Sequence, residues 1–191
     1  MRNAEPELDF MDLTIKTWVP GEGVLAFCKA AGKNAFLSNM SEELPFRFPE
    51  TTIGGVTIGP LEDVSTVEHV FQAFKAALAG YEKKKDKILT SAKPESCKAA
   101  TSRRAMAMGE DQLRRWNALS PEVMLAAVRA KFADPASAAR LRETGAATLV
   151  EQLQRFADDK WGVNRKGVGR NLLGQILMHV RGGCEEEEED A

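Results

Sequence analysis

The apolar positions of this 191-residue chain change their period near residue 65. Before it, LTIKTWVP (13–20) alternates apolar and polar as a half-buried strand does. FRF (46–48) and VTI (56–58) flank Gly54-Gly55, which predicts a small hairpin. After it the pattern is helical. At about 100° per residue, Val64, Val67, Phe71, Phe74 and Leu78 share one stripe. Pro94 to Met108 reads as a helix closed by Gly109. Ser120-Pro121 has the form of an N-cap with proline at the first helical position, opening PEVMLAAVRAKF. Asp134-Pro135 repeats the device for a helix that Gly145 ends, and helices over ATLVEQLQRF and 170–181 follow. The fold class predicted is mainly α, a compact multihelical single domain with a small N-terminal β element. Residues 1–12 read as a flexible arm, 13–182 as the domain and 183–191 as an acidic disordered tail.

Composition narrows the class. The chain is 43% hydrophobic and 28% charged, as globular proteins are, and long enough for one core without disulfides or metal. No apolar run is long enough to cross a bilayer, and MRNAEPELDFMD has acids where a signal peptide needs an apolar centre. The expectation is an intracellular protein, cytoplasmic or nuclear. Three scattered cysteines without a C-x-x-C pair, and two histidines, give no zinc-site spacing and no thiol–imidazole signature, so neither metal nor cofactor is expected. The six acids of 185–190 hide a body of net charge +4 behind a total of −2. Such a body suits a phosphate-bearing ligand or nucleic acid.

Two stretches carry candidate chemistry. In STVEHVFQAFK (65–75), Glu68 and Lys75 fall within roughly 20° of each other and border the apolar stripe, with His69 on the far side. Two readings stand. One is a capping box, Ser65 as N-cap and Glu68 reaching back, with Lys75 snorkelling along the stripe. The other is a carboxylate and an ammonium desolvated at a core edge, where pKa values move. Lys131 likewise interrupts the apolar face begun by Met124 and Val128; it snorkels along that face as Lys75 would, or the two lysines share a pocket. Near the C-terminus, DDKWGVNRKGVGRNLLGQILMHVR (158–181) sets acids before Trp161-Gly162, then a glycine-punctuated loop, then a helix. Free N–H groups at that helix start, with Arg165, Lys166 and Arg170 nearby, predict an anion site, and an exposed Trp161 could stack on a ring. A turn packed on a core tryptophan fits the same pattern. Neither a P-loop nor a dinucleotide fingerprint is present.

FLSN (36–39), VEHVFQAFK (67–75), VRAKF (128–132), DDKWG (158–162) and GVGRNLLGQILMHVR (167–181) together resemble the NADAR, or YbiA-like, family in its order of motifs. The resemblance implies a mostly helical fold and cleavage of an N-glycosidic bond between ribose and a base-like amine. Its implied substrate is ADP-ribose on guanine in DNA or RNA. The alternatives are phosphoribosylated pyrimidine intermediates of riboflavin synthesis, or a module that binds ADP-ribose or NAD without cleaving it. Carried over by position, Glu68, Lys75, Asp158 and Lys131 would be catalytic, with Asp159 an alternative to Asp158. Phe36, Ser38, Asn39, Trp161, Gly162, Gly167, Gly169 and Asn171 would hold ligand. The chain departs from the family where Met40-Ser41-Glu42-Glu43 replace an aromatic and a proline, and where GPLEDVSTVEH lengthens the approach to the helix.

Overall fold

The computed structural model describes residues 8–18, 21–28, 32–152 and 159–189, the last five as backbone alone. In chain order the elements are β1 (Lys16–Thr17), β2 (Val24–Phe27), a 3-10 turn (Ala35–Leu37), β3 (Phe46–Phe48), β4 (Thr51–Ile53), β5 (Val56–Ile58) and β6 (Leu61–Val64). Then come α1 (Val67–Leu78), α2 (Glu82–Leu89), α3 (Pro94–Ala100), α4 (Arg103–Met106), α5 (Glu110–Lys131), α6 (Pro135–Arg142), β7 (Thr148–Glu151), β8 (Val168–Gly169) and α7 (Leu172–Glu189). The class is mainly α with a small β component, most of it ahead of α1. The chain divides into two units, one made of Met1–Ser38 with Phe132–Ala191 and one of Asn39–Lys131.

The continuous unit is built around α1. Its residues Val67 to Phe74 are all buried, and α2, α3, α5, β5 and β6 pack against it. Phe71 meets Trp116 of α5 with ring centroids 4.7 Å apart, and Phe48 meets Phe74 edge-on at 6.2 Å. Three expectations change here. The hairpin joins TTI to VTI, β4 with β5, across Gly54 and Gly55 at φ 56° and 76°, while FRF pairs with β6. Two successive positive φ values form the tight turn whose twist suits a hairpin. The helix expected from Pro94 to Met108 is two short ones, because Ser102 caps α4 and Ala107 turns left-handed at φ 46°. Pro121 does not start a helix but sits inside α5. A mid-helix proline cannot donate to the carbonyl four residues back. Here the Ser120 hydroxyl donates to that carbonyl, Asn117 O, at 3.3 Å.

The other unit pairs β2 with β7 in parallel and β1 with β8 antiparallel. α6 starts as its sequence predicts: Asp134 accepts the N–H groups of Ala136 and Ser137 at 3.1 Å, with Pro135 next. Of ATLVEQLQRF (147–156), expected helical, Thr148–Glu151 form β7 instead, and 153–156 lie outside the described residues; Leu149, Val150 and Glu151 are buried in succession, with α7 packed on the strand. α7 buries Leu172, Leu173, Ile176, Leu177 and Val180, and its backbone continues past residue 181 to Glu189. The described part of the N-terminal arm is fastened to it. Gln175 accepts from Asp12 N at 2.8 Å and donates to Asp12 O at 3.0 Å, and Phe10 stacks on His179.

Candidate active site

α1 begins one residue later than a capping box requires. Its N-cap is Thr66, which makes no side-chain cap bond. Thr66 is otherwise engaged: its hydroxyl meets His69 Nδ1 at 2.7 Å, and His69 Nε2 donates to Ser91 O at 2.9 Å. His69, expected on the far side, is therefore a buried, doubly bonded group.

Glu68 is 2% exposed. Its Oε2 accepts from Asn39 Nδ2 at 2.5 Å and its Oε1 from Gln72 Nε2 at 2.8 Å. The Glu68 backbone N–H also donates to Asn39 O at 2.9 Å, so the residue after Ser38 is held at both backbone and side chain. Gln72 in turn accepts from the Thr101 hydroxyl of the segment after α3. The acceptor-only carboxylate of Glu68 selects the Nε2 end of the Gln72 amide, which leaves its Oε1 to the Thr101 hydroxyl. Amide N–H groups only donate, so both carboxylate oxygens act as acceptors.

Lys75, two turns on, is half-buried. Burial pushes its ammonium below the ordinary 10.5, the negative charge of Glu68 pulls it back up, and Lys98 pushes it down again. Among the described residues no carboxylate lies within ion-pair distance of it. Glu68 and Lys75 are thus near enough to feel each other without forming a contact pair. Cys97 is no rival nucleophile, because burial raises its thiol above 9.0 and Glu68 raises it further. Lys131, at the end of α5, is 1% exposed.

The second constellation lies in the other unit. Asp158 falls outside the described residues; Asp159 is described, with Arg170 Nη1 at 3.7 Å. Trp161 is half-buried rather than exposed, with Lys160 Nζ 5.1 Å from its ring centroid. Phe36 is buried, edge-on to Phe132 at 6.5 Å and under the Arg140 guanidinium at 4.2 Å; Ser38 is buried too. The expected anion site at the start of α7 is corrected. Leu172 N–H donates to Lys160 O and Leu173 N–H to Trp161 O, both at 3.1 Å, so the loop's own carbonyls take the donors a phosphate would need. Asn171 sits left-handed at φ 55°, fully buried. Its Nδ2 donates to Leu149 O at 2.8 Å and its Oδ1 accepts from Glu151 N at 2.9 Å, clamping α7 to β7. Gly167 and Gly169 serve close approach: a Cβ would lie 2.4 Å from Trp18 O at the first and 2.2 Å from Gly162 O at the second.

The model of the family described as the NADAR domain matches residues 26–183. The chain belongs to the NADAR family. Among NADAR relatives, N-glycosidase YbiA of Escherichia coli (strain K12) is 36% identical over 121 residues, 61% of this chain and 68% of that protein. The chloroplastic riboflavin biosynthesis protein PYRR of Zea mays is 34% identical over 122 residues, 61% of this chain and 19% of that one. The NMR structure of E. coli YbiA superposes with a TM-score of 0.68 at 27% identity, covering 91% of each chain. NADAR membership fits a glycosidase-type activity in general. Two residues of the Glu68 cluster escaped the sequence reading. Gln72 carried a signal, its i, i+4 spacing from Glu68; Thr101 carried none, being 29 positions from the amide it holds. Among the described residues no group of three or more His, Cys, Asp or Glu is placed to hold a metal ion, and no helix is long and apolar enough to cross a membrane.

Proposed function

We propose that this protein is an N-glycosidase that hydrolyses the bond between ribose and guanine, removing ADP-ribose from ADP-ribosylated guanine in nucleic acid. The observation that carries the reading is the Glu68 carboxylate, buried, held by two amide donors and sharing a helix face with a partly desolvated Lys75. When the C1–N bond breaks, its electron pair leaves with the base and positive charge grows on the ribose. A fixed carboxylate stabilises that charge more than a mobile, hydrated one does. Water then attacks C1 and gives up a proton, and Glu68 is the group assigned to receive it. Lys75 supplies a second route: as the free amine it attacks C1, and ring opening leads to a Schiff base that water releases. Asp158 is assigned as a second acid or base and Lys131 as the second lysine, both from the family resemblance.

Glu68→Gln keeps the size of the residue and removes its charge, at the cost of turning one of its two acceptor oxygens into an NH2 donor. The expected result, read by mass analysis of an ADP-ribosylated guanosine oligonucleotide, is loss of ADP-ribose release by about 10³-fold or more, with the folded state retained by circular dichroism. Full activity in that variant would sink the assignment. Borohydride added during turnover separates the two routes, since only the second leaves ligand mass on a lysine peptide. The likeness to the maize riboflavin biosynthesis protein favours a second substrate, a phosphoribosylated pyrimidine amine. Faster turnover of that compound than of the oligonucleotide would select it.

A further inference from the structure

The densest positive charge in the continuous unit lies over α2, α3 and α4. From Tyr81 to Arg104 the chain carries eight lysines and arginines against three acids. Lys85 takes up both acids of α2, at 2.7 Å from Glu82 and 3.4 Å from Asp86, which leaves Lys83 and Lys87 exposed on successive turns. Lys93, Lys98, Arg103 and Arg104 are exposed as well. Two bonds hold α2 against α4: Lys84 Nζ donates to Ala105 O at 2.8 Å, and the Tyr81 hydroxyl donates to Met106 O. Beside them opens a groove of about 470 Å³, lined by Gly80, Tyr81, Glu82, Lys83, Lys84 and Lys87. The same block touches the Glu68 cluster, since Thr101 donates to Gln72 and the charge of Lys98 acts on Lys75.

We propose that this α2–α4 face docks the phosphodiester backbone of a single nucleic-acid strand. The proposal rests on the reading of the substrate as nucleic acid and adds where the strand is held. A basic groove with an aromatic wall is how proteins track single strands without reading sequence. Lysines four apart on one helix sit about 6 Å from each other, which suits a run of phosphates. An acidic peptide would satisfy the charge but leave the Tyr81 wall without use.

The test measures fluorescence anisotropy of an unmodified single-stranded oligonucleotide of about 20 residues against the full chain. A patch variant, Lys83→Glu/Lys87→Glu/Arg104→Glu, is compared with Lys16→Glu/Arg47→Glu/Arg114→Glu, which changes net charge equally at other exposed positions. The patch variant should bind about tenfold more weakly or worse, and its salt dependence should flatten by about 2 in log–log slope, three lost phosphate contacts on a single strand. Neutral Lys83→Gln/Lys87→Gln/Arg104→Gln should fall between it and the parent, which guards against a folding artefact. Equal losses in both charge-reversed variants, no binding by the parent, or displacement by polyglutamate as effective as by unlabelled strand would overturn the proposal. An unmodified strand carries no ADP-ribosyl group for Glu68 to act on, so Glu68→Gln should bind it like the parent. Failure of docking and failure of the assigned chemistry are thereby read apart.

Discussion

The hydroxyl of Thr101, the amide of Gln72 and the carboxylate of Glu68 form a directed series, each link holding the next. Remove the first and the Gln72 oxygen loses the hydrogen bond that holds the amide in place against Glu68. Thr101→Val, which keeps the shape, should therefore lower kcat by about tenfold with little effect on KM, and Thr101→Ser should restore it. Lys75 makes a separate prediction through pH. Its lowered pKa means the folded protein holds fewer protons there than the unfolded chain in the window from that lowered value up to 10.5. Below the window the cost of burying the ammonium is present in full; stability rises as pH climbs through it. The matching observable is acylation of Lys75 by an amine-directed reagent, followed by peptide mass. Its midpoint should lie below 10.5, and a midpoint at or above that value would contradict the burial argument.

Among the helices, α5 carries the most informative irregularity. A proline in a helix interior is worse than alanine by about 3 kcal/mol, and the Ser120 hydroxyl offsets part of that by donating to the Asn117 carbonyl, which Pro121 cannot do. Pro121→Ala should raise stability by about 1–2 kcal/mol in urea melts with an unchanged slope, the smaller figure reflecting the stiffer unfolded chain that proline gives. The same dipeptide shows why some of the fold was legible and some was not. Ser-Pro looks alike at a helix start and in a helix interior, because serine satisfies a backbone group in both places. α1, α6 and α7 were legible because an apolar face or an Asp-Pro cap marks them locally. β7 was not, since Thr148 to Glu151 lack the alternation of a half-exposed strand. Glu68 and Lys75 could be picked out by their place at an apolar border, whereas the use of Asn171 as a clamp depends on a strand about 20 residues upstream and leaves no local trace.

At the scale of the molecule, the two units differ in how their contacts are spread along the chain. Asn39–Lys131 is one unbroken run, while the other unit must pair Val24 with Thr148 before β2 and β7 exist. Closing so long a loop costs entropy that helix contacts within a short segment avoid. Pulsed hydrogen exchange during refolding should protect the amides of α1 and α5 before those of β7, and simultaneous protection would contradict this. The strands have a further consequence. Among the described residues they are arranged as four separate pairs, none longer than four residues, and while Asn171 and the Val163 N–H take the outer side of β7, the pairing gives β2 no second strand neighbour. Open sides invite a second molecule to add a strand, yet a run of two to four residues offers too few ladder bonds to hold one. Brevity is what protects such an edge from self-association, and a substitution that lengthened β2 would be the first place to expect clumping.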